Sequence, residues 1–284
     1  MLIIFFGAIV VGLIIGLLGS GGSAVTVPIL VYLVGHDAKI SIAESMAIAG
    51  TISAVSAIPF ARNKVVDWNS VVLFGIPAML GTFVGAWLGG YATDALQLIV
   101  FGLVLFLAAG FMIKKAFGKV NPKTVEDVKE KPPLTISKAA MIVFEGLVVG
   151  VLTGFVGVGG GFLIVPALLL LGKLPMRTAI GTSLVIVFMK SVVGFLKYQS
   201  VLAERSQSVD WTTIGIFVGI GLFGSMLGQQ LNTRLNQRAL TQVFAVFLIM
   251  LGGFIIFREG SELMLGNEQV KEPVAVVQPV EFGF

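Results

Sequence analysis

The chain has 284 residues, 56% of them hydrophobic and 12% charged, with a formal net charge of +4. A water-soluble domain carries about 25% charged residues, so a soluble globule is excluded and an integral membrane protein is expected. Cysteine is absent, which excludes disulfides, thiolate metal sites and iron–sulfur clusters.

Met1 to Phe6 carries no basic stretch, so the start is expected to open a membrane helix and not a removed leader. Apolar runs follow at residues 2–18, 24–35, 41–61, 69–90 and 94–114. A second set lies at 139–156, 162–172, 179–197, 211–231 and 239–257. Most reach the roughly 20 residues that cross a bilayer. The runs 24–35 and 162–172 are only about 16 Å long as helices, too short to cross. Each is expected to fold back on the run before it, as a re-entrant or broken helix pair. The fold class expected is therefore an all-α polytopic membrane protein of two inverted repeats, each a broken pair plus three transmembrane helices. Residues 1–114 form the first repeat and 139–257 the second. A polar linker, 115–138, joins them, and 258–284 reads as a flexible C-terminal tail.

The duplication is visible in the residues. Gly12, Gly16, Gly19, Gly21, Gly22, Val27 and Pro28 match Gly150, Gly154, Gly157, Gly159, Gly160, Val165 and Pro166 at one constant offset. Val66-Asp67-Trp68 pairs with Val209-Asp210-Trp211, and Gly81 and Gly85 pair with Gly224 and Gly228. Basic residues set the orientation. With the linker in the cytoplasm, thirteen Lys and Arg lie inside and five outside, which puts both termini outside. An odd number of crossings per half then inverts one repeat relative to the other.

Gly19-Ser20-Gly21-Gly22-Ser23 and Gly157-Val158-Gly159-Gly160-Gly161 each precede a short helix. Irregular backbone at membrane depth survives only where protein or a polar cavity satisfies it. A helix N-terminus with free N–H groups favours an anion, and paired interruptions of this kind point to a transporter's binding site. The packing alternative is that these glycines only bring helices close together. Lys190 lies mid-run, where a charge costs about 2.5–3.5 kcal/mol. Ser183, Lys190, Gly194 and Lys197 share one helical face, read as lining a pathway or as an ion pair with Glu145. Glu145, two turns into an apolar helix, is a candidate for coupling to protons or for pairing with the lysine. Glu44 reads as a helix-start carboxylate, and His36, beside Asp37, as a solvated loop residue. Asp67 and Asp210 read as N-caps, and their tryptophans as interface anchors.

The two glycine segments running into Val-Pro, Ala179-Ile180-Gly181-Thr182-Ser183-Leu184 and the repeated Val-Asp-Trp together resemble the TauE/SafE family over about residues 3–257. The resemblance implies a multi-pass transporter of the bacterial inner membrane that exports sulfite or a related organosulfur anion. Carried onto this sequence, the family segments fall on Gly19, Gly21, Gly22, Gly157, Gly159, Gly160 and on Thr182, Ser183 and Leu184. In the first half Glu44-Ser45-Met46 stands where Thr-Ser is expected, so the halves are not chemically equal. The expected function is a secondary transporter exporting a small sulfur oxyanion by alternating access, with an anion channel of the same architecture as the alternative. Substrate-binding candidates are Gly19, Ser20, Gly21, Gly22, Ser23, Gly157, Gly159, Gly160, Gly161, Thr182, Ser183 and Lys190. Expected partners are a small anion and the lipid bilayer, not nucleic acid; a homo-oligomer is left open. No cofactor and no catalytic residue is expected. No nucleotide-binding Gly-x4-Gly-Lys segment exists, so the energy would come from protons or voltage.

Overall fold

The computed structural model describes residues 2–18, 23–117, 136–159, 161–170, 174–232 and 237–269. Gly19, Ser20, Gly21, Gly22 and Gly160 lie outside these. The described residues form helices joined by short connections, with no strand among them. They are α1 (Leu2–Leu18), α2 (Ser23–Pro28, continued by a π-helical stretch Ile29–Val34), α3 (Ala38–Arg62), α4 (Trp68–Tyr91) and α5 (Asp94–Phe117). The second set is α6 (Ile136–Val156), α7 (Gly161–Leu170), α8 (Met176–Glu204), α9 (Trp211–Asn232) and α10 (Gln237–Gln269). Among the described residues, 7 helices are long and apolar enough to cross a membrane: α3 to α6 and α8 to α10. The protein is a multi-pass membrane protein. α10 continues past 257 into the segment read as tail, where Tyr32 donates to Glu259 at 2.9 Å and Arg258 lies over the Tyr32 ring.

Local chemistry explains the irregular stretches. Pro28 has no N–H to give, and the ladder after it widens into a π-helix. That stretch ends at Gly35, whose φ of +86° suits glycine, and the amides of Gly35 and His36 both close on the Leu30 carbonyl at 3.0 Å. A second π stretch, Val71–Gly75, precedes Pro77 in α4. Asp67 caps α4 by accepting from the Ser70 amide at 3.3 Å and its hydroxyl at 2.7 Å. Asp210 does the same for α9 through the Thr212 amide at 2.8 Å and the Thr213 hydroxyl at 2.7 Å. Both caps read from the sequence are present, and Trp68 and Trp211 beside them are exposed.

Helix pairing is the same when the halves are exchanged. α1 packs along α9, α4 along α6, α3 against α8, and α5 against α10. The glycine matches seen in the sequence sit in the first two contacts. Gly12 and Gly16 abut Gly221 and Ser225, while Gly81 and Gly85 abut Gly150 and Val151, backbone against backbone. Rising numbers meet rising numbers, so α1 runs parallel to α9 and α4 to α6. In contrast, Met46, Gly50 and Phe60 meet Gly194, Ser191 and Gly181, so α3 and α8 are antiparallel. Gly102 meets Gly252 and Ile256, and Phe106 meets Gly252 and Gly253, so α5 and α10 are antiparallel too. Close approach through small residues is the usual way membrane helices associate. Large apolar side chains such as Leu80, Phe83, Phe144 and Phe223 face outward, while Glu44, Lys39 and Lys190 are interior. That distribution suits lipid as the solvent.

Candidate functional site

The broken pairs meet between α3 and α8. Gly157, with φ +75°, turns the chain after α6, and a Cβ there would overlap Ile42. Its carbonyl accepts from the Ser45 hydroxyl at 2.5 Å. Two residues on, a Cβ at Gly159 would stand 2.8 Å from the Cβ of Ser23 and 3.1 Å from that of Ala49. Ser23 opens α2, so the starts of the two short helices come together at the middle of α3. The described part of this loop is buried against protein, and the glycines there serve close packing.

Lys190 reaches the same place from α8, with 1% of its surface exposed. Its ammonium donates to the Thr153 hydroxyl at 2.6 Å and to the Val158 carbonyl at 3.3 Å, both neutral acceptors. Among the described residues no carboxylate lies within 4.0 Å of it. The pairing with Glu145 considered from the sequence is not formed. Glu145 is half-buried on α6 and makes no ion pair among the described residues.

Among the described residues three buried hydroxyls, on Thr26, Ser53 and Ser191, have no hydrogen-bond partner. A buried polar group without one costs about 1–3 kcal/mol. Ser191 follows Lys190, and a Cβ on Gly50 would come within 2.9 Å of its Cβ. Ser53 is one helical turn beyond Gly50, and Thr26 one turn beyond Ser23. Ser53 and Ser191 are related by the 138-residue offset of the glycine segments. Lys190 and Ser191 thus stand at the α3–α8 contact, with Ser53 one turn along α3 and Thr26 one turn along α2.

Thr182 and Ser183 lie elsewhere. The Thr182 hydroxyl accepts from the Asp67 amide at 3.0 Å, and Ser183 donates to the Ile180 carbonyl at 2.8 Å. The first half repeats both contacts. Glu44 accepts from the Asp210 amide at 2.8 Å, and Ser45 donates to the Ile42 carbonyl at 2.9 Å. Thr182 therefore ties α8 to the cap of α4, as Glu44 ties α3 to the cap of α9. Gly161 opens α7 and is buried. Lys197, at the far end of the expected stripe, stands 5.7 Å over the Phe83 ring.

Two clusters escape sequence reasoning. His36 is not a free loop residue: its Nδ1 lies 2.8 Å from the buried Glu44 carboxylate. Lys39 is buried at the start of α3 and donates to the carbonyls of Gly89 at 2.6 Å and Ala92 at 2.8 Å, and to the Gln97 side chain. Asp94 stands 3.6 Å away. Gln97 in turn donates to the Phe155 carbonyl at 2.6 Å and to the Tyr198 hydroxyl at 2.9 Å, and Tyr198 donates to the Gly154 and Phe155 carbonyls at 3.2 and 3.0 Å. This network ties α3, α4, α5 and α8 to the end of α6 that leads into the second glycine turn. A glutamine inside the apolar run 94–114 was the available signal. Gln97→Leu takes an acceptor from the Lys39 ammonium and a donor from the Tyr198 hydroxyl, and is expected to cost about 1–3 kcal/mol, readable as a lowered melting temperature in detergent.

A family model described as "Sulfite exporter TauE/SafE" matches residues 4–255. A "Probable membrane transporter protein" of Xylella fastidiosa is 31% identical over 257 residues, covering 89% of this chain and 94% of that protein. The "Probable membrane transporter protein YunE" of Bacillus subtilis is 28% identical over 267 residues, covering 88% and 96%. A "Sulfite exporter TauE/SafE family protein 2" of Arabidopsis thaliana is 30% identical over 151 residues, 53% of this chain and 32% of the plant protein. No solved structure matches.

Proposed function

The chain belongs to the TauE/SafE sulfite exporter family of membrane transporters, and from its interior we propose that it exports a small sulfur oxyanion by alternating access. The observation that carries the reading is Lys190: an interior ammonium whose partners among the described residues are all neutral, at the crossing of the two broken pairs. A buried charge without a counter-ion is unfavourable, and a mobile anion that arrives and leaves supplies one transiently. The site comprises Lys190, the hydroxyls of Thr26, Ser53, Ser191 and Ser23, and the backbone of Gly157, Gly159 and Gly161. Gly19, Ser20, Gly21, Gly22 and Gly160, assigned to the site from the sequence, lie outside the described residues. Sulfite and short sulfonates present three oxygens, which suits one cation ringed by hydroxyl donors. Thr182 and Ser183 shape the site's walls through α8 and the α4 cap.

The antiparallel contacts of α3 with α8 and of α5 with α10 support reading the halves as inverted repeats. Transport then consists of rocking the paired helices about the α3–α8 crossing, with both termini periplasmic and the linker cytoplasmic. Glu145 remains a coupling candidate by its position on α6. The direct test is counterflow of labelled sulfite in proteoliposomes preloaded with unlabelled sulfite. Transient accumulation above equilibrium is expected for a carrier. Currents that never saturate with concentration, without counterflow, would replace the carrier with a channel.

A further inference from the structure

The geometry points to His36 and Glu44 as a proton-binding pair that couples the opening of one end of the transporter to pH. Glu44 has no exposed surface, and its two oxygens are both used: one takes His36 Nδ1 at 2.8 Å, the other the Asp210 amide at 2.8 Å. Asp210 belongs to the opposite half, so this carboxylate is a clasp between halves. The molecule contains its own control. At the matching position Thr182 accepts the matching amide, of Asp67, with a neutral hydroxyl. A hydroxyl is thus sufficient for the structural task, and the charge at residue 44 does something more. His36, the single histidine of the sequence, is its titratable partner, with 23% of its side chain open to solvent. Histidine is the side chain that ordinarily titrates between pH 5 and 8, and here it links outside water to the buried carboxylate.

The neighbouring charges are otherwise engaged. Asp37 accepts from Gln207 at 3.0 Å. Asp210 is held below the ordinary carboxylate range, first by the Thr213 hydroxyl. Lys39 is turned toward Gly89, Ala92 and Asp94, and Arg205 donates to the Gly90 carbonyl at 2.9 Å. A proton taken up by His36 sets an imidazolium against the Glu44 carboxylate, which draws that carboxylate's charge toward His36 and away from the Asp210 amide, weakening the clasp between α3 and the α8–α9 connection. Proton release restores it. This coupling rests on the alternating-access reading above, but the proton site is tested apart from it.

Trp211 adjoins Asp210, so its emission reports the clasp. In tag-free protein carrying Trp68→Phe and Trp87→Phe, Trp211 emission is expected to titrate once between pH 5 and 8. The titration should vanish in Glu44→Thr, which copies the other half, and in His36→Asn. An unchanged titration in folded Glu44→Thr or in Glu44→Gln would overturn the proposal. In proteoliposomes a rate governed by one proton changes by up to about tenfold per pH unit. Glu44→Thr should keep sulfite transport while flattening that dependence to within about twofold; an equally steep dependence overturns the coupling. If the native chain moves no sulfite yet Trp211 titrates as described, the substrate assignment falls and the proton site stands.

Discussion

Replacing Lys190 with methionine is expected to leave a folded protein that no longer transports. Methionine matches the length of the aliphatic stem and removes the ammonium from a site where its partners are Thr153 and Val158, not a carboxylate. Folding should be little affected or favoured, because removing an unpaired interior charge relieves a desolvation penalty. Substrate binding, in contrast, loses its one fixed cation. Truncating one member of a buried charge pair costs about 2–5 kcal/mol, equivalent to a fall in transport of at least about thirtyfold. Lys190→Arg restores charge in a planar, bulkier form and is expected to recover transport only in part. Sulfite uptake by vesicles, normalised to folded protein by size-exclusion chromatography, checks both variants. A Lys190→Met protein with normal folding and normal uptake would make the lysine a bystander.

The second large effect concerns folding. A side chain at Gly12 would overlap the backbone of Gly221, and one at Gly85 would overlap Val151 and Phe155. The neighbour in each case is main chain within a helix, which cannot rotate away. Gly12→Leu and Gly85→Leu are therefore each expected to separate the α1–α9 or α4–α6 pair. Overpacking costs typically 1–3 kcal/mol where side chains can adjust, and more is expected where backbone must move. Loss of monodisperse protein on extraction would show it. Gly215 and Gly219, on the same α9, meet nothing within 4 Å of a built Cβ. Their alanine variants should extract normally, which separates contact from mere glycine content.

Much of the scaffold was legible in the residues because lipid imposes simple rules. Among the described residues the ten apolar runs became ten helices, and the two short ones became α2 and α7. The spacing of Gly81 and Gly85, matched in Gly224 and Gly228, marked helix faces that do meet helices at backbone distance. Asp67 and Asp210 capped as expected. Side-chain partnerships between residues far apart in the sequence were not legible. Glu44 meets Asp210 over 166 residues and Lys190 meets Thr153 over 37, and periodicity carries no information about such pairs. His36 was misjudged because a histidine in a short connection looks solvated until the helix after it turns Glu44 back underneath. Lys39 drew no reading for a related reason: a lysine one residue inside a helix looks like a surface residue, yet the ends of α4 and α5 close over it. Thr182 and Ser183 stood out as a motif but spend their hydroxyls on Asp67 and Ile180. The hydroxyls left over, on Thr26, Ser53 and Ser191, are set apart by having no partner among the described residues.

The central claim is that an interior cation at the α3–α8 crossing holds the transported anion. Equilibrium binding of radiolabelled sulfite to the detergent-purified chain addresses it without any transport step. Saturable binding at one site per chain is predicted, lost in Lys190→Met and weakened in the Ser53→Ala, Ser191→Ala double variant. Sulfite binding of undiminished affinity in folded Lys190→Met would contradict the account.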